Sequence, residues 1–536
     1  MKVLVQIILT LILILNATAR VDASNEKILY IPVDDRPITF KQTAEVVKAA
    51  GYEMILPPKN YLSREDNGQS FDKLWTWLEK NISKVDAAVI SSDAVIYGGI
   101  IPSRRHEISA EDLNSRVNRF KSLREKNPDL KIYVLASLMR TPYEGTKGSV
   151  EEPDYYADYG ANIFKYTALV DRKEIEGLST SEYEDMNYLQ SKIPAEFLND
   201  WLSRRQKNVE VTKKLINLTN EGVINYLIIG RDDHQPFSQT HRENRELNSY
   251  VQKINVHENK LQIFAGIDEF GMLLLTRATN DLRGDNPKIF VRYNKGTGEN
   301  TVPAYSEEKV SNSVKSELAV VGGLLVDNPQ DADFVLLVNT DPNGKTYHSY
   351  NSSPFTRDKT FDYNAPRDGT KYFADMVEKY VREGYPVCVA DITFGNGSDN
   401  PMLNMLKERG LLFQLKAYAG WNTATNSLGF VIGNGILARQ MSTYNKDKLL
   451  ATRYLDDWAY QANVRTKVGD WIFYNIPNGE KFYSNFGGEN FEIEDAITKS
   501  MREFAVKNLP PYDYLRNFNV TCAWNRMFEV DIEFNE

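Results

Sequence analysis

Residues 28–37 read ILYIPVDDRP, a short apolar run that stops at two aspartates and an arginine. The same order of an apolar run, a polar end and a helix-like segment recurs along the chain. We predict nine strands at these runs, over residues 28–33, 85–90, 132–136, 226–229, 261–267, 289–292, 334–338, 387–390 and 415–419. Short uninterrupted apolar runs are typical of strands buried on both faces of a parallel sheet. The sequence therefore predicts the α/β class.

Amphipathic segments such as 112–126 and 372–383 lie between these runs and fit crossover helices. Parallel β/α repeats of this number are accommodated by two architectures. We expect a (β/α)8-like barrel with additions, and the alternative is two doubly wound α/β subdomains that split near residue 285. From about residue 444 the alternation fades into a segment rich in Trp, Tyr and Phe. We interpret residues 24–443 as the α/β core and residues 444–536 as a C-terminal cap subdomain.

The composition is that of a packed globular protein, because 42% of the 536 residues are hydrophobic and 26% are charged. The formal net charge is -9, and no run of Lys and Arg is present. Phosphate backbones are bound through clustered basic charge, so nucleic acid is excluded as a partner. We expect a small-molecule or oligosaccharide substrate.

The first residues have the pattern of a signal peptide. Lys2 precedes an apolar run over residues 3–15, and small residues follow at 17–19 and 21–23. The run is too short for a good membrane span, and no later segment is apolar enough for one. We therefore expect residues 1–23 to be removed, no stable membrane span after cleavage, and a secreted or extracytoplasmic protein.

The sequence indicates no cofactor. Cys388 lies in an apolar strand-like run and Cys522 lies in the C-terminal segment, and we interpret both as structural. The chain has only five histidines and lacks the Cys/His spacing of a zinc site. Its glycine pairs lack the spacing of a phosphate loop or a dinucleotide-binding turn. We expect no cofactor, with a divalent cation considered only under an alternative function.

Polar side chains follow the predicted strands at the points where the strands end. Since the carboxyl ends of parallel strands meet at one edge, we expect these residues to share a pocket. The candidate substrate-binding residues are Asp34, Asp35, Arg36, Asp93, Tyr97, Arg104, Arg140, Tyr418, Trp421 and Asn422.

Adjacent acids provide the candidate catalytic residues. Asp232 and Asp233 resemble the acid pair of barrel hexosaminidases, in which one acid orients the substrate and its neighbour protonates the leaving oxygen. Asp268 or Glu269, after the next strand, would supply the second carboxylate that flanks a glycosidic bond. The alternative is that Asp232 or Asp268 caps the helix that follows it.

Two other functions fit the same residues. A metal-dependent hydrolase would use Asp34, Asp35, Asp93, Asp232 and Asp391 to bind a hard divalent cation. A non-catalytic sugar-binding or peptide-binding protein would use a cleft between two α/β lobes.

The remaining site candidates also have structural alternatives. The arginines among them fit neutralisation of the local acids slightly better than recognition of an anion. Trp421 fits a sugar-stacking ring or a core tryptophan beside a helix cap at Asn422 or Thr423.

Several motifs together resemble one bacterial family. They are IPVDDRP, SSDAVIYGGIIPSR, IIGRDDHQPFSQTHRE, AYAGWNTATNSLG and YLDDWAYQ. The chain is similar from Ile28 to about Gln461 to the family catalogued as domain of unknown function 4127. The resemblance supports the fold assignment and implies no activity, so the function must be argued from the residues.

Overall fold

The computed structural model describes residues 26–64, 71–143, 151–231, 236–349, 354–355, 357, 360–487 and 491–535. The described strands form two parallel sheets and two small strand pairs. The first sheet contains β1 (Lys27–Ile31), β2 (Glu53–Ile55), β3 (Ala87–Ser91), β4 (Lys131–Leu138), β5 (Tyr226–Arg231) and β6 (Leu261–Ala265). The second contains β7 (Lys288–Tyr293), β8 (Leu324–Leu325), β9 (Phe334–Asn339), β11 (Val387–Asp391) and β13 (Ala417–Ala419). The small pairs are β10 (Tyr347–His348) with β12 (Phe394–Gly395), and β14 (Phe518–Cys522) with β15 (Val530–Phe534).

Both sheets have the same doubly wound topology. The strand order is β2-β1-β3-β4-β5-β6 in the first sheet and β8-β7-β9-β11-β13 in the second. In each sheet the second strand pairs on one side of the first strand, and the later strands follow on the other side. Ligands of such sheets bind beyond the carboxyl ends of the strands, near the point where the order reverses. The fold therefore offers two such edges.

The α/β class is confirmed, and each of the nine predicted strands overlaps an observed one. The short edge strands β2 and β8 were not predicted, because three and two residues give no clear pattern. The expected (β/α)8-like barrel is not formed by the described strands. After β6 the chain enters a helix, and β7 then starts a second sheet instead of pairing with β6. The alternative, two doubly wound sheets that change between residues 265 and 288, is the observed arrangement.

Helices cover both faces of the sheets. In chain order they are α1 (Thr43–Ala49), α2 (Phe71–Asn81), α3 (Ile100–Arg105), α4 (Ala110–Lys126), α5 (Tyr156–Ile175), α6 (Thr180–Ser191), α7 (Ala195–Asn220), α8 (Gln239–Ile254), α9 (Phe270–Arg283), α10 (Val310–Val321), α11 (Thr370–Arg382), α12 (Asn400–Glu408), α13 (Ala424–Leu437), α14 (Thr443–Arg453), α15 (Arg465–Asn475), α16 (Gly479–Ser484) and α17 (Phe491–Asn508). Three π-helical segments cover Ile38–Gln42, Asp93–Tyr97 and Tyr454–Val464. The two crossover segments predicted from amphipathicity correspond to α4 and α11.

The two sheets share one hydrophobic core. Helices α9, α10 and α13 pack against one another and contribute to a buried cluster that also contains residues of both sheets. Every residue of α13 is buried. A side chain at Gly429 of α13 would place Cβ only 2.5 Å from Cγ of Glu269, so glycine permits this close approach. A continuous core between the sheets holds their carboxyl edges in a fixed relation.

The C-terminal segment packs on the second sheet. The segment Tyr454–Val464, helices α15 and α17, and the β14–β15 hairpin share a buried cluster with β9, β11 and helices α11 and α12. No helix among the described residues is long and apolar enough to cross a membrane.

Candidate active site

A cavity of about 410 Å³ lies where strand ends of both sheets meet the C-terminal segment. Its volume is in the range of small-molecule sites. It is lined by Arg36, Ile100, Ile101, Arg104, Arg140, Glu151, Ile267, Asp268, Tyr305, Asn396, Asn422, Thr423, Arg465, Tyr483, Ser484, Trp524, Arg526 and Phe528. The first sheet contributes residues that follow β1, β4 and β6, and the second contributes residues that follow β13. Asn396 follows β12 of a small strand pair.

Asp268 lies in the cavity wall and is held by three side chains. Its Oδ1 accepts a hydrogen bond from Nη2 of Arg36 at 2.6 Å. Its Oδ2 accepts from Nδ2 of Asn422 at 3.4 Å and from Nδ2 of Asn426 at 3.3 Å. Asp268 therefore does not cap α9, whose N-cap is Glu269 with no side-chain capping bond. The contact with Arg36 is also an ion pair.

Arg36 connects Asp268 to the rest of the site. Its Nε donates to Oδ2 of Asp34 at 2.9 Å, and its Nη1 donates to Oε1 of Glu529 at 3.3 Å. The guanidinium also lies 5.3 Å from the ring centroid of Trp524. Because these partners come from both ends of the chain, Arg36 fixes the position of Asp268 relative to the C-terminal hairpin.

Three other arginines surround one carboxylate in the wall. Glu151 accepts from Nη1 of Arg104 at 3.2 Å, from Nη2 of Arg140 at 2.8 Å and from Nη1 of Arg526 at 2.7 Å. Burial alone would raise the pKa of Glu151, but these arginines together hold it well below its ordinary value. Glu151 is therefore an anion and a poor proton donor. We call Arg104, Arg140 and Arg526 the arginine cluster.

Four residues of the wall have left-handed backbone conformations. Tyr305, Asn396, Asn422 and Trp524 have φ values of 63°, 58°, 55° and 55°. They are four of the seven described non-glycine residues with positive φ. Such conformations cost energy, least for Asn and most for bulky residues, and they concentrate at functional sites. Their concentration here is independent support for a functional cavity.

Several predicted site residues lie behind the wall rather than in it. Asp34 is fully buried and accepts from Arg36 and from Oγ1 of Thr39 at 2.6 Å. Asp35 accepts from Nε1 of Trp524 at 2.6 Å and so holds that lining ring, while burial raises the pKa of Asp35. Both acids thus support lining residues instead of facing a ligand.

Glu269 and Trp421 are also set back from the cavity. The Glu269 side chain is fully buried, and its Oε2 accepts from the Ile267 N–H at 3.2 Å. Trp421 is buried against Phe528, with ring centroids 6.3 Å apart, and Thr423 rather than Asn422 caps α13. The core interpretation of Trp421 therefore fits, whereas Asn422 lines the cavity.

Asp93 and Tyr97 contact protein groups outside the lining of the cavity. Asp93 accepts from Oγ of Ser137 at 2.7 Å and from its backbone N–H at 3.1 Å, and burial raises the pKa of Asp93 to about 6. Tyr97 stacks on His106 with ring centroids 5.0 Å apart. Neither side chain lines the described cavity.

Tyr418 belongs to a buried network at the edge of the second sheet. Its hydroxyl donates to Asp391, which also accepts from Asn339 at 3.0 Å and from the Asp399 N–H at 2.7 Å. Asp399 in turn is bonded by Arg367. Burial, together with the nearby Asp399 carboxylate, raises the pKa of Asp391 to about 7. Asp391 and Tyr418 are thus members of a structural network beside the site.

The raised pKa of Asp391 predicts a pH effect on stability. The pKa of this carboxyl group is about 4 in the unfolded chain and about 7 in the folded protein. The folded state therefore binds the proton more tightly, and the free energy of unfolding falls as pH rises from about 4 toward about 7. We expect the unfolding free energy of the native protein to fall over this interval by up to about 4 kcal/mol relative to that of Asp391→Asn, whose amide does not titrate, because each pKa unit corresponds to about 1.4 kcal/mol. Thermal unfolding of both proteins at several pH values measures the difference. A difference in unfolding free energy between the two proteins that stays constant across the interval would contradict the prediction. Asp72→Asn is the control, because the Asp72 side chain is 84% exposed.

The predicted catalytic pair Asp232 and Asp233 lies outside the described residues. Arg231, which precedes the pair, is described. It forms ion pairs with Glu307 at 2.5 Å and with Glu308, and it lines a small cavity of about 30 Å³ together with Asp268, Tyr305, Asn422 and Asn426.

Sequence reasoning missed the lining residues from the C-terminal segment and the loops. These are Glu151, Tyr305, Arg465, Tyr483, Ser484, Trp524, Arg526 and Phe528. None of them follows a predicted parallel strand, so the polar residues at strand ends do not indicate them. Residues 444–536 are rich in aromatic residues, but this composition does not indicate which rings reach the cavity.

Comparisons with known proteins identify a family without a described activity. A family model described as "Protein of unknown function (DUF4127)" matches residues 28–533. No curated protein matches the chain, and no solved structure matches it.

Proposed function

The chain belongs to this family of proteins of unknown function, and on the chemistry of its cavity we propose that it is an exported carbohydrate-active enzyme that hydrolyses a glycosidic bond. The observation that carries the proposal is the position of Asp268. Its carboxylate lies in the wall of a cavity of ligand size, and three side chains hold it in one orientation. A preorganised carboxylate of this kind is what glycoside hydrolysis requires of a nucleophile or base.

The rest of the wall fits a sugar. Tyr305, Tyr483, Trp524 and Phe528 provide aromatic surface, and Asn396 and Asn422 provide amides that donate and accept hydrogen bonds. A pyranose ring has C–H-rich faces that pack on aromatic rings and hydroxyl groups that need both donors and acceptors. The mixture of rings, amides and charges therefore supports a carbohydrate ligand.

The carboxylates of the site have different proposed roles. Asp268, beside Arg36, serves as the ionised carboxylate that attacks the sugar or activates a water. The small cavity next to Asp268 has room for one water molecule. Glu151 is held ionised by the arginine cluster, so the proton donor must come from elsewhere. We assign that role to Asp233 and the orienting role to Asp232, because they directly follow Arg231, which shares the small cavity with Asp268.

The proposal is tested by turnover on a panel of chromogenic glycosides with and without a chelator. The protein is purified from its native source, where its amino terminus should fall between Arg20 and Asn25 if the signal segment is removed. We expect hydrolysis of at least one glycoside that the chelator does not change. Absence of turnover across the panel would contradict the proposal.

A non-catalytic sugar-binding or peptide-binding protein is the second candidate. One observation favours it: both acids in the described cavity wall are paired with arginines. Such pairing is compatible with a site that binds a ligand without catalysing a reaction. The core shared by the two sheets weighs against the hinge motion of two-lobed binding proteins. Binding of oligosaccharides without turnover would support this candidate.

A metal-dependent hydrolase has less support from the described residues. They contain no group of three or more His, Cys, Asp or Glu side chains placed to hold a metal ion. Asp34, Asp35, Asp93 and Asp391 instead bind separate protein groups. Turnover that the chelator abolishes would restore this alternative.

A further inference from the structure

The cavity wall carries an excess of positive charge. Its lining includes five arginines, the arginine cluster with Arg36 and Arg465, and two acids, Glu151 and Asp268. The lining therefore has three more positive than negative side chains, although the whole chain has a net charge of -9. Asp34, Glu152 and Glu529, directly behind the lining, pair with the same arginines and offset this excess, so the position of the guanidinium groups at the cavity, rather than net charge, favours an anionic ligand.

The arginine cluster is built to hold an oxyanion. Arg104 lies in α3, Arg140 follows β4 and Arg526 lies in the C-terminal segment. Their side chains are only 4%, 15% and 13% exposed. They approach Glu151 at 3.2, 2.8 and 2.7 Å. The contacts with Glu151 show that a carboxylate fits among these three guanidinium groups. Planar guanidinium groups bind carboxylates with defined geometry, so the site is selective as well as charged.

Acids behind the wall fix the orientation of the cluster. Glu152, whose side chain is 1% exposed, accepts from Nε of Arg140 at 2.7 Å and lies 3.6 Å from Arg104. Glu529 accepts from both Arg526 and Arg36. These buried acids hold the guanidinium groups in place before any ligand arrives, and a preorganised site loses little entropy on binding.

We propose that the substrate is an acidic sugar whose carboxylate binds at the arginine cluster. The sugar part of this inference rests on the proposed function, whereas the anionic part rests on the cluster. A uronic acid or another carboxylate-bearing sugar has this chemistry. Sulfate and phosphate esters of sugars also carry an oxyanion group. The binding experiment below distinguishes them from carboxylates.

The test measures binding of matched sugars to the full-length protein by calorimetry, independently of turnover. The pairs are glucose with glucuronate, galactose with galacturonate, and N-acetylglucosamine with N-acetylmuramate. For at least one pair we expect the acid to bind about 10-fold or more tightly than the neutral sugar, with weaker binding at high salt. Equal affinity within every pair would overturn the proposal. Tighter binding of glucose 6-sulfate or glucose 6-phosphate than of every carboxylate would overturn the carboxylate assignment.

Variants locate the effect at the cluster. Arg140→Gln should weaken binding of the acid more than binding of the neutral sugar, so that the preference for the acid is lost. Arg105→Gln is the matched control, because Arg105 follows Arg104 in α3 but pairs with Asp154, whose side chain is 94% exposed. An equal loss of affinity for both members of a pair in Arg140→Gln would overturn the proposal.

A second variant keeps the inference testable if Arg140→Gln fails to fold. Glu151→Gln keeps the size of the side chain but removes the negative charge that faces the cluster. We expect it to bind the acidic sugar more tightly, by roughly 10-fold. A purely structural role for the arginines predicts no gain, and such a result would overturn the proposal.

The outcomes separate this inference from the proposed function. A preference for acids without hydrolysis of any glycoside supports the inference and contradicts the proposed hydrolysis. Hydrolysis of neutral glycosides without any preference for acids overturns the inference and leaves the proposed function standing.

Discussion

Replacement of Asp268 by asparagine should lower turnover by roughly 10²–10⁴-fold, the largest effect that we expect on activity. The amide has nearly the size of the carboxylate and can still contact Arg36 and Asn422. It cannot attack a sugar carbon or accept a proton from water. Because the substitution removes the proposed reacting group and leaves the rest of the cavity in place, kcat should fall while KM changes little.

Matched variants define the meaning of that result. Asp72→Asn changes the same residue type at an exposed position and should leave turnover unchanged. Asp233→Asn should lose activity to a similar degree if Asp233 is the proton donor, and the loss should be smaller for substrates with good leaving groups. Turnover of Asp268→Asn equal to that of the native protein would remove Asp268 from the catalytic residues.

Replacement of Arg205 by methionine should lower the free energy of unfolding by about 3–5 kcal/mol, the largest effect that we expect on stability. Arg205 is 1% exposed and forms a bidentate pair with Glu243, with both N···O distances at 2.7 Å. It also donates to the carbonyls of Met139 and Arg140. The methionine would leave the Glu243 carboxylate buried without its cation.

Chemical denaturation of the variants measures this effect. Arg382→Met is the control, because Arg382 pairs with Glu378 on the surface of α11 and its side chain is 70% exposed. The double variant Arg205→Met with Glu243→Leu should recover much of the loss, since no charge then remains buried. A loss below about 1 kcal/mol in the single variant would show that the pair contributes little. Arg205 also bonds the peptide carbonyls next to the Arg140 side chain, so the variant should weaken ligand binding too.

The strands of this protein could be predicted because their signal is local. Runs such as residues 87–90 and 334–338 are buried on both faces, so each position excludes polar residues and the run stands out from its neighbours. The polar residue that follows a strand is equally visible, and Asp34–Arg36, Asp93, Arg140 and Asp268 were found in this way. The sequence thus established the α/β class, the strands and the residues at their carboxyl ends.

The sequence did not indicate which strand ends face the same space. Asp93 and Glu269 follow strands as Asp268 does, and Tyr418 lies in β13. Their side chains nevertheless bind groups away from the cavity wall: Asp93 binds Ser137, Tyr418 binds Asp391 and Glu269 binds the Ile267 N–H. A strand end specifies an edge of a sheet, whereas the direction of a side chain depends on the turn after the strand and on the neighbours that compete for it. Local patterns contain neither piece of information.

Tertiary structure also decided between one barrel and two sheets, and it completed the cavity. One barrel would require that β7 pair with β6 and that a later strand close on β1. Hydrogen bonds that close a barrel join residues more than 200 positions apart and leave no local trace in the sequence. Trp524, Arg526 and Phe528 reach the cavity because the C-terminal hairpin packs beside Arg36 and Glu151, nearly 500 and about 375 residues earlier. Contacts at such separations arise only when the whole core packs, so they appear in the folded protein and not in its sequence pattern.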